Sequence, residues 1–475
     1  MRDAGNRSCF GRPGQQAKQS RFRRETALFR ERWLRLIKDD PYYNPNLTLA
    51  LVDRSLAIPP RVERPWLLQE ACTEGVAKSS TALSRLGGVP ATPLEKGVAL
   101  IGLLKAEVGV GEAARSGAKA LEVVGYPHSR HAIMVPGVFD NRVDFDCGTS
   151  SFSIYDTALI YLNADTLAHS SDIIPRSLLA GRRRIGFWHW ELPLFPPVWM
   201  PAIDMLDEIW TPSRFVADSV RTATDKPIRI IPHAIAMPDH SLGAARSRLG
   251  LPSDAFLFLS VFDTNSYTSR KNPEAVVRAF CDAFLPERSH SSPRLIFKCH
   301  GKKGRGARFD DFRNMIAKDD RIVLIDEVFS ADEMALLFAA CDVCVSLHRS
   351  EGYGLNLAQA MACEKLVIAT GFSGNLDFMT DQNSILIPFT MKLVGEGEYV
   401  CGAGQWWAEP SHIASVEAMR LAVDQPTAAA NLARRARMDI AKNNSYQRVG
   451  ALMVLGLEGS SLRDGATQGR PAGAA

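Results

Sequence analysis

A chain of 475 residues exceeds the size at which one hydrophobic core keeps growing, so it predicts two lobes of about 150 to 200 residues each rather than a single domain. With 46% hydrophobic and 23% charged residues, its composition excludes a disordered chain and a membrane-embedded one. A net charge of +4 over this length gives no reason to expect nucleic acid as a partner.

In chain order, residues 1–94 come first as a basic extension expected to be partly helical. Arg2, Arg7, Arg12, Lys18, Arg21, Arg23 and Arg24 crowd its start. Two readings stand: a solvated leader, or an electrostatic anchor that brings the chain to anionic lipid head groups as a peripheral contact. No apolar run of 18 residues and no apolar segment of signal-peptide type is present, so the expected location is cytoplasmic, with peripheral contact at the inner membrane face. Nine scattered cysteines do not make a disulfide framework. Cys341 and Cys344 form a lone C-x-x-C inside an apolar run and are read as core residues.

From about residue 97, apolar runs of strand length alternate with helix-length amphipathic segments, the pattern of βαβ units and parallel sheets. The first series is Val98–Leu104, Tyr155–Leu162, Arg184–Trp188, Glu208–Trp210 and Ile228–Ile231. The second is Phe256–Phe262, Arg294–Lys298, Ile322–Ile325, Val343–Leu347, Leu366–Ala369 and Ser384–Ile387. Between them Pro238–Ser253, rich in Gly, Ser and Pro, reads as a linker and hinge. The expected organisation is an α/β chain with Rossmann-like lobes at residues 95–238 and 252–425, helices at 426–458 and a disordered tail at 459–475. Two doubly wound lobes place a ligand at the carboxyl ends of their strands, so strand-end loops are where chemistry is sought.

One such loop is the most informative stretch of the chain. Ser350-Glu351-Gly352-Tyr353-Gly354-Leu355 follows an apolar run and opens a helix that carries Gln359. Glycines on a strand-to-helix turn let backbone approach a ligand, and free amides at the helix start suit a diphosphate. Gly109-Val110-Gly111-Glu112-Ala113-Ala114 reads as a weak dinucleotide fingerprint, but His128-Ser129-Arg130-His131 stands where its ribose-binding acid is required. Asp144-Phe145-Asp146 imitates a metal-binding D-x-D, yet lies in a polar loop and is read as a surface turn, with no metal site expected. His189 and Glu191, in Trp188-His189-Trp190-Glu191, either contact a ligand or sit exposed beside a tryptophan core.

Glu351-Gly352-Tyr353-Gly354 followed by Ala358-Gln359-Ala360-Met361 resembles the Glu-x7-Glu motif of retaining glycosyltransferase family 4. Ala369-Thr370-Gly371-Phe372-Ser373-Gly374-Asn375 resembles the loop after it, and Arg270-Lys271-Asn272-Pro273 and Gln405-Trp406-Trp407-Ala408-Glu409-Pro410 resemble further landmarks. The resemblance implies a GT-B fold, two Rossmann-like lobes facing across a cleft, and metal-independent transfer from a UDP- or GDP-sugar, with no cofactor beyond that substrate. It implies that Glu351 is catalytic and contacts the donor sugar, and that Arg270, Lys271, Gly352, Tyr353, Gly354, Leu355, Gln359, Gly374 and Asn375 bind the donor. Gly109, Gly111 and Glu191 then serve the acceptor side or its loop, and the acceptor is a glycan or a lipid-linked sugar in polysaccharide assembly.

The chain departs from the family pattern in three places. Gln359 replaces the second Glu, Glu364 stands where a glycine is expected after the motif helix, and no Arg matches near Asp263. Ribose binding by a neutral amide is expected to be weaker. A degenerate transferase acting as a nucleotide-binding or assembly module is therefore the alternative, with an NADP-dependent oxidoreductase behind it. Asp40-Pro41-Tyr42-Tyr43-Asn44-Pro45-Asn46 resembles the tail of glycosyltransferase family 2 domains, without the domain itself.

Overall fold

Each apolar run read from the sequence becomes a parallel strand in the computed structural model, which describes residues 93–134, 143–147, 153–168, 173–285, 293–301 and 306–459. The chain divides into two units, residues 1–85 and 86–475, and all described residues lie in the second. The basic extension, the family-2-like segment and the tail from residue 460 lie outside the described residues.

The first sheet has six parallel strands, β1 (Glu95–Gly102), β2 (His128–Ala132), β3 (Tyr155–Tyr161), β4 (Arg183–Phe187), β5 (Glu208–Thr211) and β6 (Ile228–Ile230), in the order β2-β1-β3-β4-β5-β6. The sequence reading had no strand at β2. His-Ser-Arg-His-Ala lacks an apolar face because β2 is an edge strand with one buried position, and it is held by register with β1 rather than by hydrophobicity.

The second sheet, β7 (Leu257–Asp263), β8 (Arg294–His300), β9 (Ile322–Ile325), β10 (Val343–Ser346), β11 (Leu366–Thr370) and β12 (Ile385–Ile387), runs β12-β11-β10-β7-β8-β9, also parallel. Cys341 and Cys344 are buried in its core at 1% and 2% exposure, and burial pushes the Cys344 thiol up to about 12. They pack as small apolar residues.

The helices that shape the site are α1 (Gly109–Val123), α2 (Arg214–Arg221), α3 (Leu242–Leu249), α4 (Thr268–Lys271), α5 (Pro273–Ala283), α6 (Ala331–Ala340), α7 (Leu355–Ala362), α8 (His412–Asp424), α9 (Pro426–Asn444) and α10 (Tyr446–Leu457). The stretch read as a linker and hinge contains α3. Ser241 caps its start by accepting from the Ala244 amide, and Gly250 ends it in the left-handed region at φ 63°. Arg246 of α3 donates to the Ala340 carbonyl at 2.9 Å and pairs with Asp342 at 2.6 Å, so this helix packs on the second lobe.

The chain then crosses back. Ala436 and Ile440 of α9 pack in the second lobe's core, whereas Val449, Met453 and Leu457 of α10 pack against β1 and β3 residues of the first. A side chain at Gly450 would meet the Ala120 carbonyl at 2.3 Å, which is why α10 can lie so close to α1.

An antiparallel hairpin, β13 (Phe389–Leu393) with β14 (Trp406–Pro410), was not read from the sequence. It belongs to the second lobe by chain order, yet Trp407 and Val394 sit in the first lobe's core with Trp188, Trp190 and Trp199. Trp407 is 0% exposed, and cutting it to alanine is expected to cost about 3 to 5 kcal/mol.

Candidate active site

In the second sheet β7 and β10 are neighbours, while the chain leaves β7 toward β8 on one side and β10 toward β11 on the other. The loops after β7 and β10 therefore diverge and leave a crevice at the strands' carboxyl ends. Each loop delivers one half of the site.

After β7, α4 is a single turn carrying Arg270 and Lys271, flanked by two non-glycine residues in left-handed conformations, Tyr267 at φ 61° and Asn272 at φ 53°. Backbone in this region costs on the order of 1 kcal/mol or more per residue and persists where surroundings enforce it. The enforcing contact at Asn272 is its side-chain amide, which donates to the Leu347 carbonyl at 3.0 Å and ties this loop to the end of β10.

After β10, Glu351 is clamped through its backbone. Its amide donates to the Ser373 hydroxyl at 2.8 Å, and its carbonyl accepts from the Gly374 amide at 2.9 Å. Ser373 is itself held at φ 78°. A side chain at Gly374 would lie 2.1 Å from the Gly352 carbonyl, so the two loops meet backbone to backbone. Gly354, at φ 93°, turns the chain into α7, whose first turn has no side-chain cap.

The charged groups converge on Glu351. The Lys271 ammonium lies 2.5 Å from Oε1, and Arg270 donates to Oε2 at 3.1 Å and to the Ser350 carbonyl at 2.8 Å. From the first lobe, Glu191 brings its Oε1 to 3.7 Å from the other Arg270 terminal nitrogen. Burial alone would raise the Glu351 carboxyl, but Lys271 and Arg270 outweigh it and hold the group at about 2. Burial lowers Lys271, with Glu351 opposing it; Arg270 moves up, because Glu351 and Glu191 outweigh its burial. Two carboxylates, Glu351 and Glu191, thus face the two cations Arg270 and Lys271 across one small group.

Arg270 is only 3% exposed and is committed to carboxylates, with its Nε lacking a hydrogen-bond partner; Lys271 is 13% exposed. Arg270 thus holds Glu351 in place, and Lys271 is the less buried of the two cations.

The other residues read from the sequence lie as follows. Tyr353 points inward: its hydroxyl accepts from Asn444 at 2.6 Å, and its ring packs on His233 and Phe378. Asn375 is buried and donates to the Thr370 carbonyl at 3.1 Å. Leu355 and Gln359 are partly buried on α7. Gly111 sits where a side chain would meet the Leu103 and Ala106 carbonyls at 2.6 Å, and Gly109 is exposed with open space around it. Of the three first-lobe residues, Glu191 is the one whose side chain joins the charged group.

Three features of the site were not read from the sequence. Arg349, two residues before Glu351, forms a bidentate pair with Glu409 at 2.8 and 3.1 Å and lies over the Trp407 ring, which explains the Trp-Ala-Glu-Pro stretch. Tyr399, in the hairpin loop, donates to Glu191 Oε2 at 2.6 Å. Across the lobes the Ser213 hydroxyl donates to the Gly352 carbonyl at 2.6 Å, and Arg214 pairs with Asp377 at 3.2 Å.

His189 points away from this group. Its Nε2 lies 2.9 Å from His233 Nε2, and burial holds its imidazole at about 4. Asp144 and Asp146 are exposed, and among the described residues no group of three or more His, Cys, Asp or Glu side chains could hold a metal ion. No described helix is long and apolar enough to cross a membrane. Two cavities lie elsewhere: one of about 320 Å³ beside Asp239, Glu364, Lys365 and Arg437, and one of about 520 Å³ beside Arg176, Arg184 and Asp207.

Residues 262–393, which include Arg270, Lys271, Glu351 and Gln359, match the family described as Glycosyl transferases group 1. No curated protein sequence matches the chain. Among solved structures, sucrose-phosphate synthase from Thermosynechococcus elongatus is similar at 15% identity and a TM-score of 0.58, over 77% of this chain and 99% of that one. Anabaena HepE, solved with UDP and glucose, is similar at 13% identity and a TM-score of 0.56, over 77% and 100%. A glycosyltransferase from Rickettsia africae is similar at 15% identity and a TM-score of 0.53, over 78% and 100%. The fold is the two-lobed GT-B arrangement, and the family match lies within its second lobe.

Proposed function

We propose that this chain is a retaining glycosyltransferase of family 4 type that moves a hexose from a UDP- or GDP-sugar to a glycan or lipid-linked acceptor in polysaccharide assembly. The observation that carries the reading is the Lys271–Glu351–Arg270 group at the β7/β10 crevice, beside the uncapped start of α7 and inside the residues that match the family. HepE, which shares the fold, was solved with UDP and glucose.

In this reading Lys271 and the first amides of α7 take the diphosphate, whose charge grows as the sugar–phosphate bond breaks. That stabilisation comes from fixed protein groups, so the reaction runs without a divalent metal. Glu351, held ionised by its two cations, accepts hydrogen bonds from hydroxyls of the transferred sugar. Gln359, one turn into α7, reaches the ribose, and Glu191 faces the acceptor from the first lobe. The basic extension brings the enzyme to a membrane where a lipid-linked acceptor is held.

Purified chain mixed with UDP- and GDP-sugars should release nucleoside diphosphate, and calorimetry should show binding of UDP or GDP but not NADPH. An NAD-dependent oxidoreductase is disfavoured because β2 ends in His131-Ala132, where an NAD-binding lobe carries an acid, and the calorimetry with NADPH tests the NADP-dependent form. One observation favours a second reading: Gln359 in place of the family's second Glu fits a module that binds nucleotide without turnover. Binding of UDP or GDP with no release from any donor would identify that module; no binding of either would reject both readings.

A further inference from the structure

The hairpin loop 394–405 is a strap that runs from the second lobe onto the first. Its base is closed by Val394 donating to the Gln405 carbonyl at 2.9 Å. The Gln405 side chain accepts from the Leu194 amide of the first lobe at 2.9 Å and donates to the Cys401 carbonyl at 3.1 Å. Tyr399, in the middle of the strap, has its ring wedged between Trp190 of the first lobe, at 5.5 Å, and Tyr267 beside α4, at 4.9 Å. The Arg270 guanidinium lies 5.7 Å from that ring. Packing on both sides leaves the hydroxyl one direction, toward Glu191 Oε2 at 2.6 Å.

We infer that Tyr399 is a positioning residue for the transfer reaction, acting through Glu191. A carboxylate has two oxygens, and the Tyr399 hydroxyl occupies one, which turns the other toward Arg270. Arg270 in turn grips Glu351 and the Ser350 carbonyl. The result is a chain of contacts, Tyr399 to Glu191 to Arg270 to Glu351, that crosses the cleft twice and aligns the first lobe's carboxylate with the group on the second. Removal of the hydroxyl frees Glu191 to rotate toward water, and the first-lobe side of the site loses its geometry while Lys271 and α7 keep theirs. The inference rests on the transferase reading above.

A double-mutant cycle on the full chain tests it. Tyr399→Phe keeps the ring packing and removes the donor alone, so kcat for transfer should fall about 10- to 100-fold, the worth of one hydrogen bond to a charged group, while the donor KM stays within about twofold. Because Glu191→Ala removes the acceptor that the hydroxyl serves, the Tyr399→Phe, Glu191→Ala double variant should be no slower than Glu191→Ala alone. Losses that multiply in the double variant, an unchanged kcat in Tyr399→Phe, or a fall in donor affinity as large as the fall in kcat would overturn the inference and leave the transferase reading intact. A wild-type chain that turns over no donor would overturn both.

Discussion

Lys271 and Glu351 come from loops that are 80 residues apart in sequence, yet the ammonium lies 2.5 Å from the carboxylate. The pair exists because β7 and β10 are neighbours in the sheet, so the ends of two non-consecutive strands open onto one crevice. Removing the carboxylate leaves two buried cations without their shared partner. Glu351→Ala should reduce transfer by about a thousandfold or more, while Lys271→Ala should mainly raise the donor KM, by about tenfold or more. Initial rates at varied donor concentration separate the two outcomes.

The neutral amide at Gln359 makes a different prediction. Gln359→Glu returns a charged acceptor to the face of α7 expected to meet the ribose hydroxyls, so UDP should bind about 3- to 10-fold more tightly by calorimetry. Unchanged affinity would mean that the ribose lies elsewhere.

Glu364 ends α7 at φ 57°, the conformation for which its relatives are expected to use glycine. The turn is a Schellman arrangement: Lys365 donates to the Ala360 carbonyl at 3.1 Å, and Glu364 donates to the Met361 carbonyl at 3.0 Å. The backbone takes a conformation that suits glycine, with a side chain that disfavours it. Glu364→Gly should therefore stabilise the chain by about 1 kcal/mol in denaturant titration, with no loss of activity.

The His189–His233 pair predicts a pH dependence of stability. Burial lowers both imidazoles, His189 to about 4 from 6.5, and each ring faces the other, with Phe187 and Tyr353 packed around them and Asn163 hydrogen-bonded to His189. A depressed folded-state value means that the unfolded chain binds the proton more readily. The contribution is thus complete above pH 6.5 and is lost as pH falls toward 4, by at most about 3 kcal/mol for His189. Melting temperatures across this window should fall for the wild type and fall less for His189→Gln.

The sequence made the two sheets legible because their central strands are buried on both faces and read as unbroken apolar runs, as in Val343–Leu347. It placed Glu351 in a strand-end loop for the same reason, whereas Lys271 was found through its resemblance to a family landmark. What escaped depends on distant partners. β2 has one buried residue and pairs only by register; α3 hid among Gly, Ser and Pro although Ser241 and Gly250 are ordinary helix boundaries. The hairpin escaped because twelve residues, 394–405, separate its strands, and Trp407 finds its core in the other lobe. Glu191 could be placed at a strand end, but its meeting with Arg270 depends on how the lobes face each other, which no local pattern records.

The central claim is that the Lys271–Glu351–Arg270 group handles a nucleotide sugar. The most direct measurement is release of UDP or GDP from a panel of nucleotide sugars by the wild-type chain and by Glu351→Ala, in the presence of a metal chelator, with the anomeric configuration of the transferred sugar read by NMR. The account predicts release and a retained configuration with the wild type, neither affected by the chelator, and no release with Glu351→Ala. Equal turnover by the two proteins, or an inverted product, would contradict it.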